Sequence, residues 1–441
     1  MDADVIVIGA GAAGLAAARE LAGRSVNAIV VEARDRIGGR VLTQPTARAM
    51  VPAELGAEFI HGPAAETKAL LREAGTTAIE TGGEGWVCDA HGELQPEERD
   101  FGVSAGIFER VRSLPHDESV AEFLARFAGD PAMGPTVAEA LSFAEGFDAV
   151  DPTIASALGI ADEWGSGVDA TSARPIGGYP PMFEHLRAAC TAAGVRIELS
   201  SAVRRVTWAR GSVTVEVQSA TGETRTLRAR AAIVTLPAGV LQHRGDTAAV
   251  TFEPDLPAAK RDALRHIPMG DVVKVVLEFR TAFWERIHDE RYREASFFRS
   301  GSGPFPAYWL QYPVHSELVT AWAGGPRAIA MRDVPQAERI ERALQGFGAL
   351  LDAPVLARAE FVRGFTHDWL NDPFARGAYT YIAVGGGDAR LVLAAPLDGT
   401  LFFAGEATSN DGQGGTVNGA LESGERAARE AAASLSGAQH G

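Results

Sequence analysis

Residues 5–32 constrain the fold of this chain more tightly than any other stretch. Val5-Ile6-Val7-Ile8 is an unbroken apolar run of strand length, which reads as a strand buried on both faces. It passes directly into Gly9-Ala10-Gly11-Ala12-Ala13-Gly14, a G-x-G-x-x-G. Ala16 to Leu21 reads as a helix of small residues, with Gly23 placed as its C-cap glycine. A second apolar run, Ala28-Ile29-Val30-Val31, ends at Glu32. Strand, glycine turn, helix, strand and acid is the order of a dinucleotide-binding unit. Gly9 permits the tight turn, Gly11 lets the backbone approach a pyrophosphate, and Gly14 lets helix and strand pack closely. Ala13 lies in the same turn, where free helix N–H groups and the positive dipole end favour phosphate. Glu32, roughly twenty residues further on, is placed to accept hydrogen bonds from a ribose, and Ala33 follows it.

The residues after Glu32 select among dinucleotides. Ala33-Arg34-Asp35-Arg36-Ile37-Gly38-Gly39-Arg40 resembles the E-A-R-x-R-x-G-G-R signature of the flavin amine oxidases, a family of FAD enzymes. The resemblance implies that Glu32 holds the adenosine ribose and that Arg34, Gly39 and Arg40 flank the FAD diphosphate. A solvated arginine-rich turn would not explain two adjacent glycines before Arg40. The chain carries only one G-x-G-x-x-G, which argues against a two-nucleotide disulfide reductase plan.

Further segments carry the same resemblance. Leu55-Gly56-Ala57-Glu58-Phe59-Ile60-His61-Gly62 is similar to the family's L-G-A-x-W-I-H-G, which runs beside the flavin. This implies cofactor contacts at Gly56, Ala57 and Glu58, and places Phe59 and His61 toward substrate. A lone histidine on an apolar segment reads equally as a hydrogen-bonded structural residue. Met269-Gly270-Asp271-Val272-Val273-Lys274-Val275-Val276-Leu277 resembles the segment whose lysine reaches flavin N5 through a water, a role that falls to Lys274. Without the resemblance, Lys274 reads as a solvent-facing lysine balanced by Glu278 on the same strand face. His367 to Tyr381, with Trp369, Asp372-Pro373 and Gly377-Ala378-Tyr379, resembles W-x-x-D-P-x-x-x-G-S-Y-S-Y of polyamine oxidases and flavin histone demethylases. Tyr379 then lines the substrate pocket, with Trp369 nearby. Glu406, Thr416 and Val417 match FAD-contacting positions near the chain's end, and Val203 matches a position whose backbone meets the adenine.

The expected fold class is α/β: a Rossmann-like FAD-binding domain of the GR2 type with a discontinuous α+β substrate-binding domain. The expected division is 1–65, 177–258 and 392–441 for the FAD domain, and 66–176 and 259–391 for the substrate domain. Trp86-Val87-Cys88 and the Asp89-to-Gly92 turn read as a hairpin. Residues 103–173 read as amphipathic helices broken at Pro115, Pro131 and Pro152. Val213, Val215 and Val217 share a strand face, and Asp271 to Phe279 alternates with period two. Thr416 opens a last helix to about Ala432, followed by a polar tail, Ser434 to Gly441.

Composition bounds the partners. The 441 residues are ample for a deep core. Lys and Arg total 41 against 57 Asp and Glu, a formal net charge of −16. Such a balance argues against nucleic acid, whose phosphates call for a basic footprint. It draws a cation only weakly at physiological salt. Two cysteines, Cys88 and Cys190, show no metal or redox spacing, so a reducing, cytoplasmic compartment and no metal are expected. No run reaches the ~20 apolar residues of a membrane helix, and no signal peptide or membrane-anchoring C-terminal helix is expected.

The resemblance implies an amine oxidase nearest the polyamine oxidase branch. A primary or secondary amine would lose a hydride to flavin N5, O2 would go to H2O2, and the imine would hydrolyse. Apolar pocket walls would favour the neutral amine that this step requires. An L-amino-acid oxidase is the alternative, but its G-x-M-R arginine is absent from Gly56-Ala57-Glu58-Phe59. A cyclic secondary amine oxidase fits nearly as well, and a non-enzymatic flavoprotein module is a third possibility, without a tower insertion or basic surface to support it. Monoamine oxidases attach FAD through a cysteine before the pocket tyrosine; here Ala378 stands there, so FAD is expected to be non-covalent. Gln413-Gly414-Gly415 occupies the place of a second cage aromatic, with Gln413 facing the pocket. Monomer and homodimer are both open.

Overall fold

Val5–Ile8 forms the central strand of a five-stranded parallel sheet, buried along its whole length. The computed structural model describes residues 1–89, 91–97, 106–167, 172–245 and 248–437. The sheet order is 196–198, 28–31, 5–8, 231–234 and 401–403, so strands from three distant parts of the chain lie side by side. The four strands inside that edge are short and rich in Val, Ile, Ala or Phe, as a parallel sheet covered on both faces requires, while the edge strand 196–198 is Arg-Ile-Glu. Helix Ala12–Gly23 covers one face with Leu15, Ala17, Ala18 and Leu21, joined by the closing helix Val417–Gly437. The other face packs on an antiparallel hairpin, 201–209 with 212–219, whose Val213, Val215 and Val217 are buried.

A second sheet has seven strands, ordered 361–366, 272–279, 318–324, 307–309, 295–299, 84–88 and 94–96. Its core is aromatic: Phe279, Trp284, Phe298, Tyr308 and Phe347 are buried together. Helices Val120–Ala125, Gly134–Gly146 and Ala157–Gly165 enclose a further core around Phe108, Phe123 and Trp164. A three-stranded sheet, 60–61, 172–175 and 78–80 in that spatial order, brings Ile60-His61 to Ser172–Pro175.

Several local expectations shift. The first helix starts at Ala12, not Ala16. Gly23 lies inside it, and the left-handed residue is Ser25, at φ 59. Ser25 N–H donates to Ala22 O and Val26 N–H to Leu21 O, both at 3.0 Å, the pair of bonds that closes a Schellman end. The last helix runs past Ala432 to Gly437, so Ser434 is helical; residues 438–441 of the expected tail lie outside the described residues. So do residues 103–105 and 168–171 of the expected helical region and Ala90 of the hairpin turn. Strand Val272–Phe279 is buried on both faces rather than on one, because neighbouring elements cover both. Among the described residues no helix is long and apolar enough to cross a membrane, and no cluster of His, Cys, Asp or Glu could hold a metal ion.

Candidate active site

The glycine turn is built for a close neighbour. A Cβ on Gly14 would stand 1.9 Å from Gly9 O, so no other residue lets the helix start there. The strip between Gly11 and Gly39 is bare of side chains, with a Cβ on Gly11 only 3.9 Å from Gly39 Cα. Gly38 N–H donates to Ala10 O at 2.9 Å, which lays the second glycine segment over the first. Among the described residues no side chain caps the helix that begins at Ala12, leaving its N-terminal N–H groups and dipole for an anion. Glu32 is buried; it accepts from Ala10 N–H at 2.7 Å and Arg34 N–H at 2.9 Å. Ala33 lines a cleft of about 380 Å³ with Ala202, Arg204 and Phe374. Val203 is buried beside it on strand Ser201–Ala209.

The opposite end of the nucleotide strip converges on Glu406. Its carboxylate accepts from Arg40 Nη1 at 2.8 Å, Thr380 Oγ1 at 2.6 Å and Gly415 N–H at 3.1 Å. Burial pushes this carboxyl up, but Arg40 and Arg390 outweigh it and hold it below its usual range. Arg40 also donates to Ala378 O at 2.8 Å. Thr416 Oγ1 accepts from Gly419 N–H at 3.0 Å and so caps the closing helix, with Val417 partly buried behind it. Gln413 Oε1 is buried without a hydrogen-bond partner among the described residues. A buried unmet acceptor is costly, and a donor from a bound group would satisfy it. Bare glycine strip, uncapped helix, buried acid and unmet acceptor together fit an extended dinucleotide such as FAD.

Lys274 is neither solvent-facing nor balanced by Glu278. It is 2% exposed, and its Nζ donates to Glu58 Oε2 at 2.7 Å and to Gly56 O at 3.1 Å. Glu278 instead takes Arg363 and the N–H groups of Ala47 and Arg48. Glu58 further accepts from Arg174 Nε at 2.8 Å, Trp309 Nε1 at 3.1 Å and Gln311 Nε2 at 3.2 Å. Burial raises the Glu58 carboxyl, yet Lys274 and Arg174 overcome it and bring it down to about 2. A Cβ on Gly56 would lie 2.0 Å from Arg40 O; the missing side chain lets segment 55–58 lie between the arginine and the lysine. Ala57 N–H donates to that same Arg40 O at 3.2 Å. Neighbouring Glu54 is buried, and burial pushes its carboxyl up to about 7 against the Thr43 hydrogen bond and the Lys274 charge.

His61, Phe59 and Tyr379 are drawn together by a residue the sequence did not single out. The Phe147 ring meets the His61 ring edge-on at 5.1 Å, and Tyr379 Oη donates to Phe147 O. Phe59 lies 5.8 Å from His61 and beneath the Arg174 guanidinium at 4.3 Å. His61 shares a 3.1 Å hydrogen bond between Nδ1 and Ser172 Oγ, and burial lowers its pKa to about 4. The Tyr379 phenol is pushed well up by burial, helped by the charges of Asp148 and Glu163. Trp369 is apart from this group: it is 3% exposed, and its indole N–H donates to Leu55 O at 2.7 Å. Arg174, Trp309, Gln311 and Phe147 were missed. They lie outside any motif; the one local signal is the aromatic run Tyr308-Trp309-Leu310-Gln311-Tyr312, which marks Trp309 and Gln311 but not Arg174 or Phe147.

A Rossmann-like sheet carrying this bare glycine strip, set against a second sheet that offers a buried lysine, defines a flavoprotein site. The comparisons name the class more narrowly. The chain belongs to the flavin containing amine oxidoreductases, whose family model matches residues 12–90 and 103–432, and FAD is its cofactor. Lysine-specific histone demethylase 2 of Homo sapiens is 28% identical over 463 residues, covering 97% of this chain and 53% of that protein. Polyamine oxidase 4 of Oryza sativa subsp. japonica is 27% identical over 464 residues, covering 97% of this chain and 88% of that protein. The chain spans about half the length, or less, of the histone demethylases it matches. A putrescine oxidase solved with putrescine bound superposes with a TM-score of 0.80 at 21% identity, over 97% of this chain and 98% of that one. Cyclohexylamine oxidase from Brevibacterium oxydans IH-35A also gives 0.80, over 99% and 100%. These likenesses establish the fold: a Rossmann-like FAD-binding domain with a substrate-binding domain.

Proposed function

We propose that the chain oxidises a small primary or secondary amine, polyamine-like in chemistry, to an imine that water releases as aldehyde and amine. The buried Lys274, linked through the Trp309 ring to Phe59 and from there to His61, Phe147 and Tyr379, carries this reading. FAD held along Gly11, Gly39, Glu32 and the Thr416 helix end would supply the two-electron acceptor for the hydride from the carbon beside nitrogen, with O2 as the final oxidant and H2O2 as its product. The protein's part is to hold the amine and keep it uncharged. Most aliphatic amines are protonated at neutral pH, and apolar aromatic walls penalise the charged form. His61, with its pKa near 4, stays neutral and adds no competing cation. Asp148, whose charge reaches Tyr379, favours a substrate with a second, cationic nitrogen; burial pushes the nearby Glu163 carboxyl up to about 7, so it adds less charge.

Lys274 has three ammonium protons, and Glu58 and Gly56 engage two of them among the described residues. The third would be left to order a water beside a bound flavin. The relatives include polyamine oxidases and a putrescine oxidase, which supports amines of this kind. An anaerobic screen of mono-, di- and polyamines for bleaching of the bound flavin, followed by air and peroxide detection, tests the proposal. Bleaching by a diamine with peroxide on reoxidation is expected. FAD that stays yellow with every amine would overturn it in favour of a non-enzymatic module.

A further inference from the structure

We propose that Glu58 is the positioning residue of Lys274, holding its ammonium at one point between the two sheets, with Arg174 serving as the counter-charge that keeps Glu58 in place. The inference rests on the amine-oxidase reading above and goes beyond it.

Glu58 reaches Lys274 from a different part of the chain, 216 residues away. A lysine side chain has four rotatable carbons and little directional preference of its own. Here two acceptors, Glu58 Oε2 and Gly56 O, come from one short segment and fix the ammonium from one side. Glu58 cannot swing away. Its Oε1 is held by Arg174 at 2.8 Å and Gln311 at 3.2 Å, while the Trp309 indole N–H lies 3.1 Å from both oxygens. Arg174 is anchored in turn: Nη2 donates to Leu310 O at 3.0 Å, and its guanidinium lies over Phe59. The chain of contacts therefore runs from the aromatic cluster at Phe59 through Arg174 and Glu58 to Lys274.

Charge bookkeeping supports the same roles. Two cations share one anion at the centre, because the other carboxyl near them, Glu54, is pushed up to about 7 by burial. Of the remaining neighbours, Trp309 lies 5.5 Å from the ammonium by its ring, and Thr366 Oγ1 donates to the Lys274 carbonyl. Without Glu58 the two cations would face one another in a dry interior, where such repulsion is strong. The lysine would then leave its place.

The composition makes a direct test practical, because the chain contains three lysines: Lys68, Lys260 and Lys274. In the FAD-loaded protein without amine, lysine-selective 15N and 13C labelling gives three side-chain signals, and Lys274→Met assigns one. Glu58→Gln is expected to move or broaden the Lys274 signal while leaving those of Lys68 and Lys260 in place. It is also expected to slow turnover about a hundredfold, in flavin reoxidation by O2 or in imine hydrolysis, the scale of an ångström-sized misplacement. The Glu58→Gln, Lys274→Met double variant should be no slower than the worse single one, because a positioning residue acts only through its target. Should Glu58→Gln not fold, Glu58→Asp, one carbon shorter, must show the same displaced signal. An unmoved Lys274 signal in either variant, or effects that multiply in the double, would overturn the assignment. A Lys274→Met protein that oxidises amines normally would instead count against the lysine's proposed role, leaving the Glu58 contact itself to be judged by the lysine signal.

Discussion

Arg34 and Asp372, 338 residues apart, are joined by two parallel hydrogen bonds of 2.9 Å. The fork ties the nucleotide segment to the stretch that ends at Tyr379, and His367 Nε2 shares the same carboxylate at 2.7 Å. Planar, bidentate pairing is a property of arginine that lysine lacks. Arg34→Lys is therefore expected to cost about 1–3 kcal/mol, read as a lower denaturant midpoint with an unchanged slope. Burial raises the Asp372 carboxyl, but His367 and Arg34 outweigh it and hold it far below its usual value. Its stabilisation is complete above the ordinary carboxylate pKa and is lost as pH falls toward the lowered one. The Arg34→Lys deficit should accordingly shrink in strong acid.

Glu54 behaves in the opposite sense. Its folded pKa of about 7 lies above the ordinary 4.5, so the folded protein binds a proton more readily than the unfolded chain. The stabilisation from this group is fully present below pH 4.5 and disappears as pH rises through 7. Glu54→Gln mimics the protonated form. It should change the melting temperature little at pH 5 and raise stability by about 1–3 kcal/mol above pH 7. A variant that melts earlier at both values would contradict the buried, protonated carboxyl.

On the proposed reading, Phe147 would be the aromatic wall that the Gln413-Gly414-Gly415 loop does not supply. Phe147→Ala removes a ring in contact with His61 and with Phe143, whose ring lies 4.9 Å away. The expected result is a KM for small amines raised about tenfold, with relatively better turnover of bulkier ones. The stability loss should be about 3 kcal/mol or less, since Phe147 is only partly buried. Steady-state kinetics over a series of amines of increasing size checks this.

Ala378 leaves no thiol before Tyr379 to bond a flavin. Denaturing the FAD-loaded protein and filtering it should pass all yellow colour into the filtrate. Colour retained on the unfolded chain would contradict non-covalent binding.

Much of the fold could be read before any coordinates. The first strand, the glycine turn, the second strand, the Asp89–Gly92 hairpin and the Val213-Val215-Val217 face all depend on contacts within a few residues, and periodicity or turn chemistry reports these directly. The end of the first helix could not be read so well. A glycine at 23 invited the cap, but the hydrogen bonds close two residues later at Ser25. The surroundings of Lys274 were harder still. A strand with period two suggested one wet face, and only the cover of segment 42–58 on one side and of helix Gln336–Leu350 on the other makes both faces dry.

The amino-acid order alone settled that a dinucleotide unit opens the chain, because every group in that unit lies within forty residues and follows local backbone rules. What only the tertiary structure decided is which charge answers which. Arg174, Trp309 and Gln311 come to Glu58 from 116, 251 and 253 residues away. The partner of a buried ion is set by which elements pack together, and no local spacing in the chain encodes that choice.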